Sequence, residues 1–78
     1  MTLTKAVPAP VDSTLLASVM YDVSESTLQL EFRDGAIYRY WNVPPAIHNG
    51  LLAADSKGSY FNREIRNCFQ YIRLRRPQ

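Results

Sequence analysis

The chain has 78 residues, 46% hydrophobic and 12% aromatic against 21% charged, with a net charge of +2. That composition belongs to a folded domain rather than a disordered or collagen-like chain, and the length leaves room for one domain that buries only about 60% of its unfolded surface. A two-domain catalytic cleft is excluded, and no apolar run reaches the length of a membrane span or signal-peptide core, so the expected compartment is the cytoplasm.

Met1 to Asp12 places Pro8 and Pro10 among small residues without helical or strand periodicity, and is expected to be a flexible or extended lead. The domain proper is read from Ser13 to Leu74. Thr14 to Asp22 closes with Val19, Met20 and Tyr21 and predicts a first strand, with a turn at Ser24, Glu25 and Ser26. Leu28, Leu30 and Phe32 then alternate with Gln29, Glu31 and Arg33, the period of a strand with one buried face. Asp34 and Gly35 reverse the chain, and Ala36 to Trp41 returns antiparallel.

Loop length decides which face the returning strand buries, because a slip of one residue exchanges every side chain. A two-residue loop would set Leu30 against Arg39 and place a guanidinium among core leucines, a costly burial. A loop of Arg33, Asp34 and left-handed Gly35 instead sets Leu30 opposite Tyr38 and Leu28 opposite Tyr40 and leaves Gln29 facing Arg39 outside. This second register is the predicted one.

Val43 to Ala54 opens on Pro44 and Pro45 and spaces Ile47, Leu51 and Ala54 for a short helix. Gly58 supplies a permissive backbone, Ser59 is the expected cap of a second helix, and Phe61, Ile65, Cys68 and Phe69 form its apolar stripe. Buried on that stripe, Cys68 is expected to be an inert packing residue. Gln70 to Leu74 reads as a last helical turn or, preferred here, a short strand, and 75–78 as a basic tail. The predicted fold class is α+β: an antiparallel meander of three strands, four with the C-terminal segment, packed on one face by two short helices.

Charge is segregated along this frame. Up to Asp55 three basic side chains (Lys5, Arg33, Arg39) accompany six acidic ones, whereas from Ser56 onward Lys57, Arg63, Arg66, Arg73, Arg75 and Arg76 accompany only Glu64. Such a patch attracts polyanions, and arginine suits phosphate; a solvated basic end is the plain alternative. Ser56-Lys57-Gly58-Ser59 at a helix start offers backbone amides and a point charge to an anion, although it is shorter than a nucleotide-binding glycine loop and also reads as a simple capped corner. Aromatic and basic residues interleave at Tyr38 to Trp41, Tyr60 to Arg66 and Tyr71 to Arg76, so that rings can stack on unpaired bases while guanidinium groups follow the backbone. The same rings also serve a core, and Trp41 and Arg39 on the outer hairpin face are the two that a core explains least.

Catalytic readings are weak. The four aspartates are scattered without a spacing that gathers two on one wall, Ser56 and Lys57 diverge as neighbours, and His48 reads as a solvated or edge-packed residue. One cysteine and one histidine make neither a disulfide nor a zinc set, so no metal or cofactor is expected.

The sequence resembles the KTSC domain family, named after the C-terminal appendage of some lysyl-tRNA synthetases. The resemblance covers Ser13 to Leu74 and rests on Tyr21-Asp22, the run Leu28 to Phe32, Gly35, the central Tyr38-Arg39-Tyr40, Val43-Pro44, the run Ala54 to Asn62, Ile65-Arg66 and the aromatics near Phe69. Met20 stands where the family tends to have glycine. The resemblance implies a cytoplasmic bacterial or phage domain, found alone or fused, of uncharacterised function, for which the association with lysyl-tRNA synthetases suggests RNA binding, tRNA included.

The reading that joins these strands is a noncatalytic RNA-binding module, monomeric and without a membrane. Lys57, Ser59, Arg63, Arg66, Arg73 and Arg39 form its basic surface, with Tyr60 and Trp41 as stacking platforms. The alternative is a protein interaction adaptor that uses the exposed hairpin face.

Overall fold

The computed structural model describes residues 8–78. Its central hairpin has the three-residue turn that the hydrophobic pattern requires. Gly35 sits at φ 95°, the Phe32 N–H donates to the Ala36 carbonyl at 2.8 Å, and the Gly35 N–H returns to the Phe32 carbonyl at 2.9 Å. Leu30 lies opposite Tyr38, Leu28 opposite Tyr40 and Gln29 opposite Arg39, as predicted. On the outer face Arg39 donates Nε and Nη2 to Gln29 Oε1 at 3.3 and 3.0 Å.

Five antiparallel strands follow one another in chain order: β1 (Ala9–Pro10), β2 (Leu16–Asp22), β3 (Thr27–Phe32), β4 (Ile37–Tyr40) and β5 (Tyr71–Arg75). The sheet is thus larger than the predicted meander of three or four strands. The C-terminal segment is the strand that was preferred, pairing Tyr71 with Tyr40 and Arg73 with Tyr38. Arg75, read as tail, closes that strand and pairs with Glu31 at 3.1 Å.

The extra strand corrects the reading of the lead. Of the flexible segment expected over Met1 to Asp12, the part up to residue 7 lies outside the described residues, but Ala9 and Pro10 pair with Val19 and Ser18. Two residues are too few to show a period, and Pro10 is tolerated because an edge strand needs no N–H on its open side. Arg33 secures the join by donating to the carbonyls of Ser13 and Val11 at 3.0 and 3.1 Å.

A bulge between Leu16 and Ser18 changes the side-chain parity of β2, which is how Leu16 and Val19, three apart, both become buried. They join Leu28, Leu30 and Tyr40 on one face of the sheet. Helix α1 (Pro45–Ala53) contributes Leu51 to this core, and helix α2 (Lys57–Tyr60) runs into a π-helical turn (Phe61–Ile65) that contributes Phe61 and Ile65. The opposite sheet face has no helix among the described residues, and Ile72 and Leu74 of β5 are 47% and 44% exposed.

Two local expectations change at the helices. The cap of α2 is Ser56 rather than Ser59: Ser56 Oγ accepts from the Ser59 N–H at 3.2 Å, and Gly58 lies inside the helix at no positive φ. Cys68 is exposed, not buried. The π-turn's closing bond, from the Arg66 N–H to the Phe61 carbonyl at 2.8 Å, is followed by extended Arg66 and left-handed Asn67 at φ 64°, so the helical part of the stripe ends at Ile65, and Phe69 packs against the core from beyond the helix.

Gly35 and Gly58 therefore respond oppositely to a methyl group. A Cβ at Gly35 would add backbone strain and meet Gln78 Cγ at 2.9 Å, whereas at Gly58 it meets only Leu15 at 3.5 Å, an ordinary contact. Gly35→Ala is expected to destabilise by about 1 to 2 kcal/mol and Gly58→Ala to be neutral or stabilising by up to about 1 kcal/mol, read by chemical denaturation.

His48 stacks on Tyr21 with ring centroids 4.7 Å apart, while the Tyr21 hydroxyl donates to the Val43 carbonyl. Burial against this ring pushes the imidazole pKa below its ordinary range. The unfolded chain then binds the proton more readily, so this contribution to stability is complete above the unfolded value near 6.5 and is lost as pH falls through the lower folded value. The melting temperature should drop from about pH 7.5 to about pH 5, and His48→Phe should flatten that drop. An unchanged pH dependence in the variant would contradict the assignment.

Candidate functional site

The sequence-predicted basic surface divides into three places. At the helical corner the side chains are engaged in holding the fold. Lys57 Nζ donates to the carbonyls of Ala54 and Leu52 at 3.0 and 3.2 Å, closing the C-terminal end of α1. The Ser59 amide is occupied by its Ser56 cap. Tyr60 is half-buried against α1, its hydroxyl donating to the Ile47 carbonyl at 3.1 Å, and a Cβ at Gly50 would collide with that hydroxyl. The Arg63 guanidinium covers the Tyr60 ring at 5.6 Å and pairs with Glu64 at 3.0 Å. The Lys57 amine, the Ser59 amide and the Tyr60 hydroxyl are thus engaged within the fold, while a shallow pocket lined by Ser56, Lys57 and Gly58 beside them is also lined by the acidic residues Asp12 and Asp55.

On the outer sheet face stands Arg39, bound to Gln29; strand alternation carries Trp41, 38% exposed, to the same side. Arg66 and Arg73 lie elsewhere. Arg73 shares the helix-side face with Tyr38 and Tyr71, and Arg66 enters the space between that face and the end of the π-turn.

That space is an open cleft of about 360 Å³ between β4, β5 and the segment after the π-turn. Its floor and walls are aromatic. Tyr38 and Tyr71 have ring centroids 5.6 Å apart, Tyr40 and Tyr71 also 5.6 Å, Phe32 meets Tyr38 edge-on at 5.6 Å, and Phe61 closes the floor under Tyr40 at 6.2 Å. Tyr40 is only 3% exposed, whereas Tyr71 is 52% exposed and presents its ring at the mouth. Burial raises the Tyr40 phenol pKa far above its ordinary value, with Tyr38 and Tyr71 adding to the effect and the Arg66 guanidinium opposing it. The phenol stays a neutral hydrogen-bonding group. Arg66 and Asn67 stand on one wall, and Asp34 and Pro77 stand at the hairpin end. The arrangement can hold a planar, partly apolar group against tyrosine rings with an anion near arginine.

Tyr38 and Tyr71 belong to the interleaved aromatic and basic segments of the sequence but not to the basic surface read from it, and Asn67 is not singled out there. Alternation had assigned Tyr38 to the core, and only the pairing of β5 beside β4 brings Tyr71 to it. The signal for Asn67 was weaker still, since its left-handed backbone follows from a π-turn that no periodicity announces.

No helix among the described residues is long and apolar enough to cross a membrane. The family model of the KTSC domain matches residues 12–71. The chain is 45% identical over 65 residues to an uncharacterized protein of Stutzerimonas stutzeri, covering 82% of this chain and 92% of that protein. It is 38% identical to a protein of Tsukamurella paurometabola, over 83% and 97% of the two chains. A lysine–tRNA ligase of Nostoc punctiforme is 33% identical over 63 residues, which are 81% of this chain but 11% of the ligase. Among solved structures, a KTSC domain protein from Yersinia pestis superposes with a TM-score of 0.86 at 30% identity, covering 91% of this chain and all of that one. With the family model matching residues 12–71, most of the chain, and a KTSC domain protein superposing over 91% of it, this chain belongs to the KTSC domain family.

Proposed function

We propose that this domain is a noncatalytic cytoplasmic module that binds single-stranded RNA in the aromatic cleft and acts as a monomer. The observation that carries the reading is the exposed Tyr71 ring beside Tyr38 with Arg66 and Arg73 at the same face. Exposed rings accept unpaired bases, and guanidinium groups outside a cleft accept the phosphates between them. The relative found within lysine–tRNA ligases gives the reading a context in which RNA is at hand, tRNA among the candidates. A duplex would keep its bases stacked and leave the rings unused.

A second reading, a protein interaction adaptor, draws on the outer sheet face, where Ile72, Leu74 and Trp41 are exposed and no helix among the described residues covers them. Trp41 separates the two. On the cleft reading Trp41→Ala leaves RNA affinity unchanged, whereas an adaptor surface loses its partner.

Binding of a single-stranded hexanucleotide should weaken with salt at a logarithmic slope of about −1.4 for two phosphate contacts, and Arg66→Ala or Arg73→Ala should each reduce that slope by about 0.7. Tyr71→Ala should weaken binding by about 1 to 3 kcal/mol at an unchanged slope, because stacking releases no counterions. Absence of binding to RNA at low salt would overturn the reading. Lys57→Ala should leave both affinity and slope intact while destabilising the domain by about 1 kcal/mol, as loss of two carbonyl contacts at the end of α1 requires. A melting temperature unmoved by that change, with a reduced salt slope, would return Lys57 to the binding surface.

A further inference from the structure

The cleft is electrically asymmetric along β4. Arg73 stands opposite Tyr38, and Arg66 acts on Tyr40 farther from the hairpin turn, while Asp34 closes the end at the turn. Asp34 is fixed in place from several sides. Its Oδ1 accepts the Ala36 N–H at 3.0 Å, its carbonyl accepts the Gln78 N–H at 2.6 Å, and Arg75 Nε ties the adjoining Gly35 carbonyl at 2.7 Å. Arg33, the cation nearest in sequence, is turned away to the carbonyls of Val11 and Ser13. Among the described residues no salt bridge neutralises Asp34.

From this polarity we infer that Asp34 is a specificity-determining residue that selects bases carrying an exocyclic amino group, cytosine above uracil. The inference rests on the cleft being an RNA site. A phosphate is repelled from the carboxylate end and drawn to Arg73 and Arg66, so a base stacked on Tyr38 directs its far edge toward Asp34. Cytosine presents N4–H₂ there, a donor that a carboxylate accepts. Uracil presents O4, an acceptor that faces the carboxylate without a proton between them. Both are single-ring pyrimidines, so stacking on the tyrosines separates them little.

The test is calorimetric titration of hexacytidylate and hexauridylate into the wild-type chain and into Asp34→Asn at pH 7.5. The amide keeps an oxygen for the Ala36 N–H, so the melting temperature should be preserved. It also offers a donor to uracil O4 and removes the negative charge. The wild type is expected to favour hexacytidylate by about fivefold, and Asp34→Asn to bind both oligonucleotides with a ratio near one. Equal affinities in the wild type, or a cytosine preference that survives in Asp34→Asn, would overturn the role of Asp34 while leaving the RNA site standing. Failure of both oligonucleotides to bind the wild type would overturn the RNA site and this inference with it.

Discussion

The structure depends on one backbone conformation, the left-handed glycine at position 35. A turn one residue shorter would rotate β4 and β5 by one side chain, send Arg39 into the leucine layer and carry Tyr38 and Tyr40 to the outside. With Gly35 in place, Leu28 and Leu30 meet tyrosines across the pair, and the tyrosine hydroxyl ends give an otherwise apolar face a polar side. The same turn receives Gln78 and Arg75 from the end of the sheet. Core, cleft and C-terminal strand therefore share a single geometric origin.

A second constraint acts at the helical corner. The chain must leave α1, turn and present Phe61 and Ile65 to the sheet within a few residues. It does so by capping α2 with Ser56, closing α1 with the Lys57 amine and widening the last turn into a π-helix. Polar residues that look available for a ligand in the sequence are the residues a short connection needs for its own unpaired carbonyls and amides. Beyond this corner Arg66 lines the cleft, and Arg73 stands on β5 opposite Tyr38.

Much of the fold was legible because it is written in strict alternation. The run from Leu28 to Phe32 fixes a face, and the cost of burying Arg39 selects the loop length. Where the sequence departs from a simple period, legibility fails for identifiable reasons. The bulge between Leu16 and Ser18 breaks parity in β2, Ala9–Pro10 is too short to show any, and the π-turn shifts Cys68 out of the stripe its spacing suggests. The candidate site was half legible. Arg66 and Arg73 stand out by charge, but the convergence of Arg73 and Tyr71 with Tyr38 and Tyr40 is a product of strand pairing between residues more than thirty apart, and Arg66 reaches the cleft from the end of the π-turn.

The claim on which the functional account turns is the location of the binding surface, and amide chemical-shift mapping tests it most directly. Titration of ¹⁵N-labelled protein with a mixed-sequence single-stranded RNA hexamer should perturb Tyr38, Arg66, Asn67, Tyr71 and Arg73 together, leaving Lys57 and Ser59 at the helical corner and Gln29 and Arg39 on the outer sheet face in place. Perturbations centred on the corner or on the outer face, with the cleft residues unmoved, would contradict it.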